Sequence, residues 1–311
     1  MHEIRHVYGL VGVMWLIGLC GCAHLRMPEM GAWSWHWPPW TRRADVTADE
    51  AMKSDAASGD AAAQYVLGFS LLYGEGLPRD VGEGLAWLRK SGESGYLKAQ
   101  AALGLLYMKG MPGDVSVDER QAVQWLDMAA QQGHASSQAS LGALLLSQSS
   151  AVRDPEAGVV WLKRAAGQGD VTAQMALGLM YHKGYVVAQN DAESVRWYSK
   201  AAGQGRADAQ TQLGIAHYRG RGSAQSFDEA RVWFERAAAQ GDALAMSNLG
   251  VMASRGEAMP HDDAQAVAWF RKAAEIGSDD GQSNLGAAYY KGIGVEQSYT
   301  EALTWFRKAA D

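Results

Sequence analysis

From residue 23 to residue 311 the chain has no cysteine; its two, Cys20 and Cys22, both lie near the amino terminus. That excludes a disulfide framework for the body of the protein, so its stability must come from packing. Charge of one sign is also missing. There are 28 Lys and Arg against 34 Asp and Glu, for a formal net charge of −6, which excludes the basic field of a nucleic-acid binder. The apolar run Val7 to Leu19 has 13 residues, too few to span a bilayer comfortably. Catalytic signatures are absent too: no Gly-x-Ser-x-Gly, no phosphate-cradling glycine loop, no His-Glu-x-x-His and no Ser-x-x-Lys pair. The histidines are scattered, with His134, His182, His217 and His261 falling in four different stretches, and no pair has metal-ligand spacing within one helix. No catalytic residue, metal site or cofactor is expected.

What is present is a period. Trp87, Trp125, Trp161, Trp197, Trp233, Trp269 and Trp305 are spaced by 38 and then five times by 36. A Leu-Gly pair keeps the same count at Gly68, Gly104, Gly142, Gly178, Gly214, Gly250 and Gly286, spaced by 36, 38 and then four times by 36. The shared insertion lies between Leu103 and Trp125, and Met111 to Asp118 is the obvious place. A fixed period of this size means stacked supersecondary units.

Each unit reads as two helices. In the fourth, Asp170 is suited to cap a helix whose Ala173, Leu177, Met180 and Tyr181 share one face. Gly184 ends that helix. Ser194, Trp197, Tyr198 and Ala201 mark the second, which ends at Gly205. The residue three before each Trp is small: Gly84, Ala122, Gly158, Ser194, Ala230, Ala266 and Ala302. The Leu-Gly glycine stands mid-helix, at a cost of ~1 kcal/mol against alanine. Its recurrence predicts a close helix approach that gives the Trp a pocket.

The pattern Tyr-x-x-Gly-x-Gly, then Ala-x-x-Trp-x-x-x-Ala-Ala-x-x-Gly, then Ala-x-x-x-Leu-Gly resembles the Sel-one-like repeat, a relative of the tetratricopeptide repeat. The resemblance covers residues 59 to 311. The third copy departs from it, with Gln148 and Ser150 in place of the loop glycines, and a different turn is expected there. The resemblance implies an all-α fold, a right-handed α/α solenoid of about seven helix-turn-helix repeats that binds other proteins. It implies no single activity. Some exported, cysteine-rich relatives are credited with β-lactam binding, and Lys90-Ser91-Gly92 looks like a penicillin-recognition triplet. The cysteine pairs of those relatives are missing here.

The chain divides into residues 1–21, 22–46 and 47–311. The first reads as a lipoprotein signal peptide. Its end, Leu19-Cys20-Gly21-Cys22, resembles a bacterial lipobox, which makes Cys22 the lipidated residue. Multiple acyl chains form a stable anchor. Ala23 after Cys22 resembles the sorting rule for the outer membrane. Residues 22–46 read as a Trp/Pro-rich tether, with Trp33, Trp35, Trp37 and Trp40 around His36, Pro38 and Pro39. Three readings of it stay open: membrane interface, a cover on the first repeat, or a docking peptide. Thr47-Ala-Asp-Glu50 fits a capping box opening a helix to Ser58. That helix would be a half-repeat capping the stack. At the other end the seventh unit stops at Asp311.

Two basic rows run along the repeats. Lys109, Lys183, Arg219, Arg255 and Lys291 close the first helices; Lys90, Arg164, Lys200, Arg236, Lys272 and Lys308 follow six of the seven Trp by three. They are read as complements to the helix dipole or as a ladder for an acidic ligand. In related helix pairs the first helices line the concave face. The residue before each Leu-Gly turns from apolar to amide in the last three units, giving Gln212, Asn248 and Asn284. These either hold a peptide backbone or bond between units. The expected function is a lipid-anchored protein-interaction scaffold of the bacterial cell envelope, placed at the outer membrane facing the periplasm. The alternatives are a surface-displayed host-interaction factor and an enzyme acting on β-lactams or peptidoglycan.

Overall fold

A computed structural model describes residues 46–310, in which fifteen helices and no strand are found. The signal segment, Cys22 and the Trp/Pro-rich tether lie outside the described residues. The described residues form two compact units, divided between Ala173 and Gln174. In the first, α1 (Val46–Ser58) is followed by three hairpins: α2 (Ala61–Tyr73) with α3 (Val81–Glu93), α4 (Leu97–Lys109) with α5 (Glu119–Gln131), and α6 (Ala135–Leu146) with α7 (Pro155–Gly167). The division falls within α8 (Val171–Lys183). The second unit continues with α9 (Asp191–Gly203), α10 (Ala207–Arg219), α11 (Phe227–Ala238), α12 (Ala243–Arg255), α13 (Asp263–Glu275), α14 (Asp279–Lys291) and α15 (Tyr299–Lys308). Each unit is a stack of helix pairs, in which a first helix packs on its own second helix and each hairpin on the next.

Short polar side chains start these helices. Asp60, Asp80, Asp118 and Asp154 each accept a hydrogen bond from a first-turn N–H in the first unit. Asn190, Ser226, Asp242, Asp262, Ser278 and Ser298 do so in the second. Asp170 meets its expectation, accepting from Ala173 N at 2.8 Å. α1 begins at Val46, one residue before the expected start at Thr47. The insertion folds into a small turn in which Met111 and Val115 exchange backbone hydrogen bonds. Arg79 of the first hairpin's loop pairs with its Asp114. The third hairpin's turn does differ. α6 stops at Leu146, and Glu119 accepts from Ser150 Oγ at 3.0 Å and Ala151 N at 2.7 Å.

The expectation for the Leu-Gly glycine needs correction. Its bare backbone accommodates the residue after the Trp, not the Trp itself. A Cβ on Gly104 would lie 2.6 Å from Leu126, one on Gly214 2.6 Å from the Phe234 ring, and one on Gly250 2.5 Å from the Phe270 ring. The Trp sits one helical step round, at 100° per residue, and packs toward the preceding hairpin. Trp125 thus meets Gly92, and Trp161 packs against the cluster that includes Leu126, Leu141 and Leu144.

A second period, of glutamines, runs through the helix ends. Nε2 of Gln64, Gln100 and Gln138 donates to Ala56 O, Gly92 O and Ala130 O at 3.0, 2.9 and 2.9 Å. The side-chain oxygens of Gln100 and Gln138 then accept from Gln132 and Gln168, both at 2.7 Å. In the second unit Gln204 donates to Gln174 at 2.9 Å, Gln240 to Gln210 at 2.8 Å, and Gln210 to Ala202 O at 3.3 Å. One more such pair would fall at Met246 and Ile276, where both members are apolar.

Gln64 lacks its donor. Its buried Oε1 has no hydrogen-bond partner among the described residues, because Ser94 stands where four other repeats place Gln132, Gln168, Gln204 and Gln240 and is too short to reach. Ser94→Gln is expected to stabilise the first unit by about 1 kcal/mol, the net worth of one hydrogen bond to a buried acceptor. Thermal melts beside Ser94→Ala check this, since only the glutamine variant should gain. A strained position gives a second prediction. Val186 has φ +63° at a loop position that carries glycine in Gly76, Gly222 and Gly294. A β-branched residue there stores about 1–3 kcal/mol. Glycine loses about 0.5–1 kcal/mol more chain entropy on folding. The strain wins, so Val186→Gly should raise the urea midpoint of the second unit.

Candidate partner-binding face

Positions one before, two after and six after each Leu share one helical face, since they are spaced by three and four. In the second unit they read Gln212, Ile215 and Arg219 on α10, Asn248, Val251 and Arg255 on α12, and Asn284, Ala287 and Lys291 on α14. The order amide, aliphatic, base thus repeats three times. In the first unit the same positions on α2 are Val66, Phe69 and Tyr73. There the rings cluster, with Phe69–Tyr73 centroids 4.5 Å apart and Tyr65–Tyr96 centroids 5.5 Å apart. Burial, with neighbouring phenols, raises the Tyr65 pKa, and burial raises that of Tyr73.

The three amides are not equivalent. Asn248 Nδ2 donates to Leu244 O of its own helix at 2.7 Å, so its donor is engaged within α12. Gln212 and Asn284 are half-buried, and their side chains make no hydrogen bond among the described residues. Neither expected inter-unit bond is formed, and two of the three amides are open to an incoming group.

The basic rows also separate. The row that follows the tryptophans is occupied within the fold. Lys90, Arg164, Lys200, Arg236, Lys272 and Lys308 lie 5.0, 4.5, 4.4, 4.6, 4.5 and 4.1 Å from the centroid of the Trp three residues earlier. These are cation–π contacts on half-buried rings and, at Trp197, a buried one, and the helix-dipole and ligand-ladder readings both missed them. In the other row, Arg255 donates to Tyr218 Oη at 2.8 Å, and Tyr218 donates to Glu257 at 2.8 Å. Burial first, then that bond to Glu257, raises the Tyr218 pKa. Arg219 has no side-chain partner among the described residues.

Beside Arg219 the second unit has a small recess of about 30 Å³, lined by His182, Asp191, Tyr198, Gln212 and Arg221 among others. That is room for one water or the tip of a side chain, not for a metabolite held on all sides. Gly222 helps to shape it. With φ +74°, Gly222 rests its bare backbone on the Asp191 carbonyl, which a Cβ would overlap, and this holds the neighbouring Arg221 beside α9. Asp191 Oδ1 is buried without a hydrogen bond among the described residues, 3.4 Å from His182 Nδ1. Burial drives the Tyr198 phenol well above its ordinary pKa, so it stays neutral. Arg221, like Arg219, has no side-chain partner among the described residues. Sequence reasoning singled out Gln212 and Arg219 separately. It missed Arg221 and His182, whose proximity depends on how the loop folds back.

In the penicillin-like triplet Lys90 is exposed, but the serine is not presented to solvent. Ser91 is fully buried and donates to Ala61 O at 2.6 Å, and Gly92 packs on Trp125. Among the described residues no group of three His, Cys, Asp or Glu side chains is placed to hold a metal ion.

Seven consecutive matches to the Sel1 repeat model cover 61–96, 97–134, 135–170, 171–205, 207–242, 243–278 and 279–311. The chain belongs to the Sel1 repeat family. Sel1 repeat proteins are generally protein-interaction scaffolds and usually not enzymes. A protective antigen of uropathogenic Escherichia coli strains, which displays this fold, is 36% identical over 86% of the present chain, with a TM-score of 0.78. The present chain spans 57% of that antigen's length. A Sel1 repeat protein from Oxalobacter formigenes is 31% identical, covering 85% of this chain and 87% of its own, with a TM-score of 0.61. No curated protein matches the chain.

Proposed function

We propose that this Sel1 repeat protein is a lipid-anchored scaffold of the bacterial cell envelope, fixed through Cys22 and holding a partner protein on the face of its first helices. The observation that carries the reading is the repeated amide-aliphatic-base stripe, in which Gln212 and Asn284 have no partner among the described residues. Such a stripe offers amides to a peptide backbone and cations to acidic side chains. The helices that bear it are fixed by their hairpins, so little ordering is needed on binding. The lipobox-like Leu19-Cys20-Gly21-Cys22 supports the anchor, and Ala23 supports the outer membrane.

Crosslinking the full-length protein in cells, followed by purification and mass spectrometry, tests this reading. One stoichiometric envelope protein is expected, and its capture should fall when Gln212, Asn248 and Asn284 are changed together to alanine. Failure to capture any partner would count against the scaffold. The E. coli relative is a protective antigen, which favours a second reading, display on the cell surface to host proteins. Protease shaving of intact cells separates the two, since only a displayed protein is cut.

A further inference from the structure

Most arginines of the second unit are engaged. Arg196 pairs with Glu193, Arg206 with Asp208 and Arg231 with Glu235; Arg236 stacks on Trp233, Arg255 bonds Tyr218 and Arg271 bonds Tyr289. Arg219 and Arg221 are not, and they line the same recess. Among the described residues Arg307 is also unpaired, but it does not line that recess.

We propose that the recess framed by Arg219, Arg221 and Gln212 is an anchor for a carboxylate side chain, that of a Glu or Asp in an extended segment of the partner. This rests on the scaffold reading and gives it a chemistry. Four observations point the same way. Two unpaired guanidiniums at one opening outnumber the single acid, Asp191, whose Oδ1 is already buried toward His182. A guanidinium presents paired N–H donors that match the two oxygens of a carboxylate. The cavity, at about 30 Å³, admits the tip of a side chain and no larger group. The unpartnered Gln212 amide can donate to a carbonyl and accept from an N–H of the chain that carries the acid.

The test uses the full chain in detergent with two dye-labelled, end-capped probes, tetraglutamate and tetraglutamine, read by fluorescence anisotropy. Tetraglutamate is expected to bind saturably, and tetraglutamine at least about tenfold more weakly, the difference a charge-assisted bond makes. The double variant Arg219→Gln and Arg221→Gln should lose about tenfold or more of the tetraglutamate affinity. Arg307→Gln, which removes the same charge elsewhere, should lose less than twofold. Exposed arginines tolerate glutamine, and an unchanged circular-dichroism spectrum verifies folding. Equal affinity for both probes, no tetraglutamate binding at millimolar concentration, or equal losses in the double variant and Arg307→Gln would each overturn the proposal. Its failure is distinct from that of the scaffold reading. A cellular partner still captured by the double variant would leave the scaffold standing without this anchor. Arginine-dependent tetraglutamate binding with no cellular partner would do the reverse.

Discussion

Gly250→Val is expected to destabilise the second unit by about 3 kcal/mol, in the upper range of overpacking substitutions. Two effects oppose each other. Valine is the better helix former, worth about 0.5 kcal/mol over glycine. Its Cβ, however, would lie 2.5 Å from Cε1 and 2.7 Å from Cδ1 of Phe270. Phe270 is buried and packed with Val267, Leu285 and Ala288, so the ring cannot withdraw without parting α12 from α13. Steric conflict therefore wins by several-fold. Urea unfolding followed by circular dichroism measures the loss. Gly203→Ala is the matching control. It also replaces a helical glycine, the last residue of α9, but a Cβ there meets nothing within 4 Å. It should gain up to about 0.5–1 kcal/mol. A Gly250→Val protein as stable as the parent would show that the close approach is not what the glycine serves.

Phe234→Ala is the second large effect, expected to cost about 4 kcal/mol. Phe234 is fully buried among Ala230, Leu249 and Met252, with its ring against Gly214. Truncating a buried phenylalanine typically costs about 3–5 kcal/mol, because the cavity collapses only in part. Here collapse is limited, since Gly214 has no side chain to move into the void. Phe234→Leu should cost less, near 1.5 kcal/mol, because Leu88, Leu126 and Leu162 fill the same place in the first three repeats. Hydrogen exchange should show protection lost first at α10 and α11, because each repeat is coupled mainly to its neighbours.

The helix pairs were legible in the sequence because the features that make them are local. Caps, loop glycines and a 36-residue period are read within one unit and checked in six others. The partner of the Leu-Gly glycine was not legible. Trp and the residue after it lie about 100° apart on the helix, and only packing decides which of them faces the hairpin partner. The row following the tryptophans shows the same limit. A lysine three residues after a tryptophan suits a helix dipole, an acidic ligand or the tryptophan ring, and side-chain direction alone separates these. The candidate site was half legible. Gln212 and Arg219 belong to a periodic stripe, whereas Arg221 reaches the recess only because the loop at Gly222 settles on α9.

The interruption of the glutamine ladder at Met246 and Ile276 has a mechanical meaning. Two amides joined by hydrogen bonds hold helix ends at one separation and one angle, since the bond is directional. An apolar pair has no preferred direction and tolerates small displacements. At the hairpins of α8 with α9 and α10 with α11 the joint is therefore stiff, and at the hairpin of α12 and α13 it is compliant. Load applied to the last two hairpins, by a bound partner or by a pulling force, should bend the stack at that joint before it bends anywhere between Gln174 and Gln240.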